Sequence, residues 1–352
     1  MVAALLVLTA CGSATSQASS AHSSSASSRA TSARLESPTP ATLQPSSPYS
    51  SPSFCFGTSP GLPAPRYEAA LAYMPNLAQA VLFGGSDVHG DELGDTWTWD
   101  TGTWTKRQPP ASPAPRREAA VAYDSARKVV ILFGLYTTNS GFGSDTWTWN
   151  GTTWTRVVEN PLIHVYGQSA AFDENTQRVL LLTMNVPGPG DSETWTWDGS
   201  GWRAVTPKTS PPGRTDASMA FDRVSRKVIL FGGYGNDGKA RNDTWAWDGN
   251  NWTLLSPSLS PSPRARAAMT SFAAKNQILL VGGEATSVLS DAWIWNGNTW
   301  SQAPSPGVRD GASAVDVGNR VLVFGGNSAS LSGACPGGTL AETWDGTTWT
   351  ST

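Results

Sequence analysis

A pair of tryptophans five positions apart returns along this chain at a nearly constant interval, and few architectures tolerate such a rhythm. The leading member stands at Trp99, Trp149, Trp197, Trp247, Trp295 and Trp344, with steps of 50, 48, 50, 48 and 49 residues. Its companion keeps pace at Trp104, Trp154, Trp202, Trp252, Trp300 and Trp349. Self-similarity at this period marks a stack of supersecondary units, each of which buries its apolar face only against its neighbours. Six such units fill residues 65–352.

Within a unit the pattern predicts four short strands. In the second they fall at residues 118–123, 129–133, 145–149 and 153–157, separated by turn-forming residues. The third and fourth strands are joined through Asn150-Gly151, Asp198-Gly199, Asp248-Gly249, Asn296-Gly297 or Asp345-Gly346, pairs that favour a two-residue type I′ hairpin. A lone meander of four strands leaves both faces and both edges open, and radial packing of several meanders covers them. The 17 Trp, 35 Gly and 25 Pro beside only 14% charged residues suit short strands and frequent turns, and exclude a helical bundle. The expected fold is therefore all-β, a six-bladed β-propeller of four-stranded antiparallel blades.

Phe83-Gly84-Gly85, Phe231-Gly232-Gly233, Val281-Gly282-Gly283 and Phe324-Gly325-Gly326 each precede a variable loop and an aromatic strand ending in Trp. In this the chain resembles kelch repeats over the whole of residues 65–352, and the resemblance implies one repeat per blade. Paired glycines suit a close backbone approach, and the Trp-Thr-Trp alternation places both indoles on one sheet face, where they can fill the wedge between blades. Two repeats depart from the pattern, with Gly134-Leu135 and Thr183-Met184 in place of the glycine pair, and a different bend is expected in the latter. The sixth carries Glu342 where the first Trp would stand, which predicts a thinner outer seam.

Residues 2–8 form a short apolar run leading into Leu8-Thr9-Ala10-Cys11-Gly12. That string resembles the lipobox of bacterial lipoproteins, which implies a signal peptide over residues 1–11, lipidation of Cys11, and tethering to the outer face of the cell membrane, or secretion. It departs from the pattern in having no Lys or Arg before the apolar run. Residues 12–53, dominated by Ser, Ala, Thr and Pro, lack the apolar surface to offset the entropy of ordering and read as a stalk. The propeller then occupies residues 54–352. Its sixth repeat ends with its own fourth strand, so no strand is left to exchange between first and last blades. Cys55 and Cys335 are the two cysteines other than Cys11, and export favours a disulfide between them that would join blades 1 and 6.

The Arg that opens five repeats, at positions 66, 116, 214, 264 and 309, suggests an anion site, but its recurrence favours a structural partner. Acidic residues recur in step at Asp95, Asp145, Glu193, Asp243 and Asp291, and pairing with them is the expectation, since buried charges need partners. The acidic run Asp87, Asp91, Glu92 and Asp95 lacks calcium-loop spacing and reads as a solvated loop. His22, His89 and His164 form no metal-binding pair, so no metal or other cofactor is expected. The net charge of −3 disfavours nucleic acid, and a monomer is expected.

Connectivity places the second-to-third loops on one end of the ring, at residues 86–94, 136–144, 186–192, 234–242, 284–290 and 327–341. Variation on a regular scaffold makes that end the expected binding face for a protein, peptide or glycan, with His89, Tyr136, Phe142, Tyr234, Lys239, Arg241 and Glu284 as contact candidates. The alternative is an extracellular propeller enzyme acting on glycans, either a hydrolase or a copper-radical oxidase like the galactose oxidase group. No catalytic constellation is visible, and non-catalytic binding is the primary expectation. The disulfide would close a loop of roughly 280 residues and contribute about 5 kcal/mol at most. Alkylation of the native, unreduced protein should leave Cys55 and Cys335 unlabelled; two labelled thiols would remove the bond from the account.

Overall fold

Alternation of residue character along each repeat gives the strands, and the burial of both faces of each sheet gives the ring. The computed structural model describes residues 61–138, 141–159, 167–184, 190–307, 309–327 and 341–351, with the backbone alone at 135–138, 141–143, 158 and 159. Cys11, Cys55, Cys335, His22, His164 and the segment 12–53 lie outside the described residues. Each repeat folds into one four-stranded antiparallel sheet with its strands in chain order. In blade 1 these are Ala70–Met74, Gln79–Phe83, Thr96–Asp100 and Thr103–Arg107. The innermost strands of the other blades are Ala120–Asp124, Ser169–Asp173, Ser218–Asp222, Ala268–Phe272 and Ser313–Asp316. Each packs against its counterpart on either side, and Ser313–Asp316 meets Ala70–Met74 to complete the circle. The all-β, six-bladed propeller is thus observed, and its last sheet is built entirely from the last repeat, without strand exchange.

The second strand of a blade is apolar on both faces because a neighbouring blade covers each one. Val228, Ile229, Leu230 and Phe231 are all buried. Every apolar core lies at a seam: Trp97, Trp99 and Trp104 of blade 1 pack with Leu322 and Phe324 of blade 6, and Trp149 and Trp154 of blade 2 with Val81 and Phe83 of blade 1. Within each hairpin the two tryptophans sit opposite one another, as in Trp247 with Trp252 and Trp344 with Trp349. Truncating a buried aromatic of this kind costs about 3–5 kcal/mol, so adjacent blades depend on one another for stability.

Specific polar contacts fix the angle between neighbours. Trp154, Trp202, Trp252 and Trp300 each donate their indole N–H to a threonine hydroxyl of the preceding blade, at Thr96, Thr146, Thr194 and Thr244, over 2.9–3.0 Å. Blade 5 has Ala292 at that position, and Trp349 donates instead to the Pro304 carbonyl at 2.8 Å. The glycine pair makes the second joint. A Cβ at Gly84 would stand 2.5 Å from the Arg116 carbonyl oxygen of blade 2, and Gly85 N–H donates to that oxygen at 2.9 Å. Gly326 N–H makes the same bond to the Arg66 carbonyl at 3.0 Å, sealing blade 6 to blade 1.

Where the pair is missing, the ladder runs on. In blade 2, Val129–Thr138 and Gly141–Trp149 form a long hairpin, and in blade 3 Thr183 and Met184 stay paired with Glu193 and Ser192. Two expectations need correction. The Asn-Gly and Asp-Gly hairpins are four-residue turns, because only the glycine has positive φ and the Asn150 or Asp248 side chain accepts the N–H groups two and three residues on. The two-residue turn with both central residues at positive φ occurs instead in blade 1, at Thr101 and Gly102. Glu118, expected to open a strand, lies ahead of it with φ of 54°.

Gly232 and Gly238 have nearly the same φ, 69° and 70°, but a Cβ at Gly232 would lie 2.3 Å from the Arg264 carbonyl oxygen, whereas one at Gly238 meets nothing within 4 Å. Gly238→Ala should therefore cost about 1 kcal/mol, the price of the left-handed conformation alone. Gly232→Ala should cost about 3 kcal/mol or more because the seam must open as well. Urea denaturation midpoints of the two variants check this.

Candidate functional site

The recurring arginine is a structural fixture, as its regularity suggested. Arg66, Arg116, Arg214 and Arg264 are buried, and each holds the aspartate of its own blade, Asp95, Asp145, Asp243 or Asp291, at 2.5–2.6 Å. Each also donates to the carbonyl at the end of its second strand, as Arg214 does to Gly232 at 2.9 Å. Burial alone would raise the carboxyls of Asp95, Asp243 and Asp291, but hydrogen bonds from the arginines outweigh it and hold all three below the ordinary range. In blade 6 the unexpected Glu342 takes the aspartate's part, with Arg309 at 2.5 Å. Blade 3 has no such arginine, and Glu193 accepts the Trp195 indole N–H at 3.3 Å.

Two residues beyond the arginine position, the chain reaches the propeller axis. The residues there are Glu68, Glu118, Gly167, Asp216, Arg266 and Gly311, one from each blade in turn, and all six have φ between 54° and 63°. The backbones form a belt: Glu118 N–H donates to the Glu68 carbonyl, Arg266 to Asp216, Gly311 to Arg266 and Glu68 to Gly311, at 2.7–3.1 Å. Asp216 N–H reaches the Gly167 carbonyl at 3.3 Å, and the Gln168 side chain donates to the Glu118 carbonyl at 2.7 Å. Side chains from this belt line a cavity of about 220 Å³ between the innermost strands. It opens at the end that carries the variable loops, since it lies at the start of each first strand.

Arg266 sits among four carboxylates. Its Nη1 donates to Glu284 Oε1 at 3.1 Å, its Nε lies 3.3 Å from Glu68 Oε1 and 3.8 Å from Asp216 Oδ2, and its Nη2 lies 4.0 Å from Glu118 Oε1. Arg117 stands 4.0 Å from Glu68 and 3.9 Å from Glu118. Burial and the neighbouring Glu118 push the Glu68 carboxyl up to about 8. Burial and Asp216 raise the Glu118 carboxyl, with Arg266 and Arg117 opposing them. Asp310 is pushed up to about 7 by burial and by Glu284. Burial opposes the charge on Arg266, but the carboxylates, Glu68 foremost, raise it above its usual value.

Of the residues expected on the binding face, Tyr234 and Glu284 come together, the phenol donating to Glu284 Oε1 at 3.2 Å. His89 and Lys239 stand exposed on their loops, and Arg241 pairs with Asp237 at 2.8 Å. Tyr136 and Phe142 fall in the long hairpin of blade 2, where the backbone alone is described. Asp95 belongs to the Arg66 pair and not to a solvated acidic loop. Sequence reasoning missed the axial residues Glu68, Glu118, Asp216, Arg266 and Asp310. The available signal was a fixed place in the repeat at which residue type varies while its surroundings do not.

Six sheets of four antiparallel strands make this a six-bladed β-propeller. Residues 190–330 match a family model described as the KLHDC2/KLHL20/DRC7 Kelch-repeats domain. A solved structure titled "Structure of YjhT" is similar in fold, with a TM-score of 0.58 and 16% sequence identity over 77% of this chain and 93% of that one. No curated protein matches the sequence.

The raised carboxyls set a stability profile. For Glu68 the folded value of about 8 lies above the ordinary value of 4.5, so its contribution is full below that lower value and is lost as pH rises through the higher one. Glu68→Gln should change stability at pH 5 by no more than about 1 kcal/mol and increase it at pH 9 by on the order of 5 kcal/mol. Urea midpoints at the two pH values check the sign.

Proposed function

We propose that the protein is a non-catalytic binding module that takes part of a partner polypeptide into the axial mouth, with the variable loops of that face as its surround. The observation that carries this is the conformation of the belt. Glycine occupies the left-handed region without penalty, as it does here at Gly167 and Gly311. Glu68, Glu118, Asp216 and Arg266 adopt the same conformation at a cost of about 1–3 kcal/mol each. Four charged side chains kept in a strained backbone, around a cavity, are explained by a ligand more simply than by folding. Their belt hydrogen bonds need no side chain.

The enzymatic alternative fits the mouth less well. Glycosidase carboxyl pairs need the scissile bond of the sugar between them, whereas here Arg266 stands among the Glu68, Glu118, Asp216 and Glu284 carboxylates at 3.1–4.0 Å. An oxidase site needs imidazoles, and His89, the histidine among the described residues, lies on an exposed loop. Display outside the cell, through lipid at Cys11 or by secretion, accords with the leader and with a spacer of some forty Ser-rich and Pro-rich residues.

A displayed random-peptide library and a glycan array, each probed with the full chain and with its Glu68→Gln/Glu118→Gln/Asp216→Asn variant, test the reading. Peptides enriched by the parent should lose at least tenfold in affinity for the variant, which should unfold no earlier than the parent. Equal retention by both chains would remove the mouth from the binding site, and capture of glycans alone would favour the enzymatic alternative.

A further inference from the structure

The mouth contains more negative than positive groups, and some of its polar atoms have no partner. Glu68, Glu118, Asp216, Glu284 and Asp310 surround or adjoin Arg266, with Arg117 as the second cation. The Glu68 side chain is 6% exposed, and its Oε2 makes no hydrogen bond among the described residues. Arg266 Nε, 3.3 Å from Glu68 Oε1, donates no hydrogen bond to it. Asp310 is 7% exposed, and its Oδ1 is likewise unpartnered among the described residues. Buried polar atoms are nearly always satisfied in a folded protein, so acceptors left open around a cavity mark places for a donor from outside.

Resting on the binding reading above, we infer that the carboxylates of Glu68 and Glu118 form the seat of a basic side chain, a lysine ammonium or arginine guanidinium presented by the partner polypeptide. The cavity of about 220 Å³ admits a side chain and not a folded surface. An anionic ligand is disfavoured, because the cavity lining sets the three carboxyl groups of Glu68, Glu118 and Asp216 against the one guanidinium of Arg266. A neutral polyol would leave the excess charge unbalanced.

The cation takes the place of a proton. Glu68 and Glu118 together hold one near neutral pH, with Asp216 adding repulsion and Arg266 and Arg117 offsetting part of it. Asp310 faces Glu284 and Asp216, again partly offset by Arg266. A bound ammonium donates to both glutamates, the shared proton leaves to solvent, and the charge of the site is unchanged by the exchange. Binding therefore strengthens as pH rises toward 8 and weakens as it falls, by up to about tenfold per unit where one proton is exchanged.

Carbon-13 NMR of the full chain labelled at Glu side-chain carboxyls follows this directly, with the Glu68 and Glu118 signals assigned through the Gln variants. Probe concentrations tenfold above Kd should lower the highest-titrating glutamate by about one pH unit. N-acetyl-lysine amide and N-acetyl-arginine amide serve as the two cationic probes, and N-acetyl-norleucine amide should leave the titration in place. Glu118→Gln should abolish the response to both cations. A response to galactose or to the norleucine probe equal to that of the cations overturns the inference, as does a stronger response to calcium chloride, which would make the seat a metal site. Library peptides that need the mouth but bind equally well after Lys→norleucine and Arg→citrulline replacement would also overturn it, while leaving the binding reading intact. Loss of mouth dependence itself would remove both.

Discussion

The joint between one blade's glycine pair and the next blade's arginine governs this structure. At that joint an arginine carbonyl takes a hydrogen bond from the preceding blade, as Arg264 does from Gly233 at 2.9 Å, while the guanidinium holds Asp291 and the Gly282 carbonyl of its own blade. The residue thus ties a blade internally with its side chain and externally with its backbone. Buried ion pairs add little net stability, because desolvation offsets much of their attraction, yet removing one partner leaves a costly bare charge. The arginine's value is geometric: it lets the chain enter each sheet in one direction only.

That direction delivers the residue two positions later to the axis. Every blade repeats the turn, so every blade presents one residue there, in left-handed conformation whatever its identity. The scaffold thereby separates two tasks at adjacent positions. Arginine holds the first in five of the six blades, whereas the second changes from glutamate to glycine to aspartate to arginine while keeping the same left-handed backbone. Such a position can acquire chemistry at the cost of local strain and little else.

The repeat made much of this legible in the sequence. Period, blade number, absence of strand exchange and arginine-to-carboxylate pairing all follow from residues that recur in step. What the repeat hid was anything set by φ. Asn150-Gly151 has the composition of a tight hairpin, but the Asn150 side chain captures the next N–H groups and widens the turn to four residues, and that competition is decided by local geometry. Glu118 looks like the start of a strand because it adjoins Ala119, Ala120 and Val121, yet it bends away to meet the axis. Glu342 reads as a lost tryptophan and proves to be the carboxylate that Arg309 requires. At the mouth, Tyr234 and Glu284 were visible as loop residues of varied chemistry, whereas Glu68, Glu118, Asp216 and Arg266 sat next to a conspicuous arginine that drew attention from them.

A charge imbalance survives in the mouth because of the ring that encloses it. In water five carboxyls and two guanidinium groups would separate and be screened, but the belt fixes four of the seven by their backbones at equivalent points about one axis. With Glu68 nearly sealed from solvent, burial and repulsion push the carboxyls of Glu68, Glu118 and Asp310 toward keeping their protons. Protonation is the response a rigid site has when nothing else supplies positive charge. Arg266 does not remove the need, since its Nη1 is committed to Glu284 and its Nε meets Glu68 without a hydrogen bond. The same packing that closes the ring thus holds the carboxyls of the mouth closer together than their charges favour.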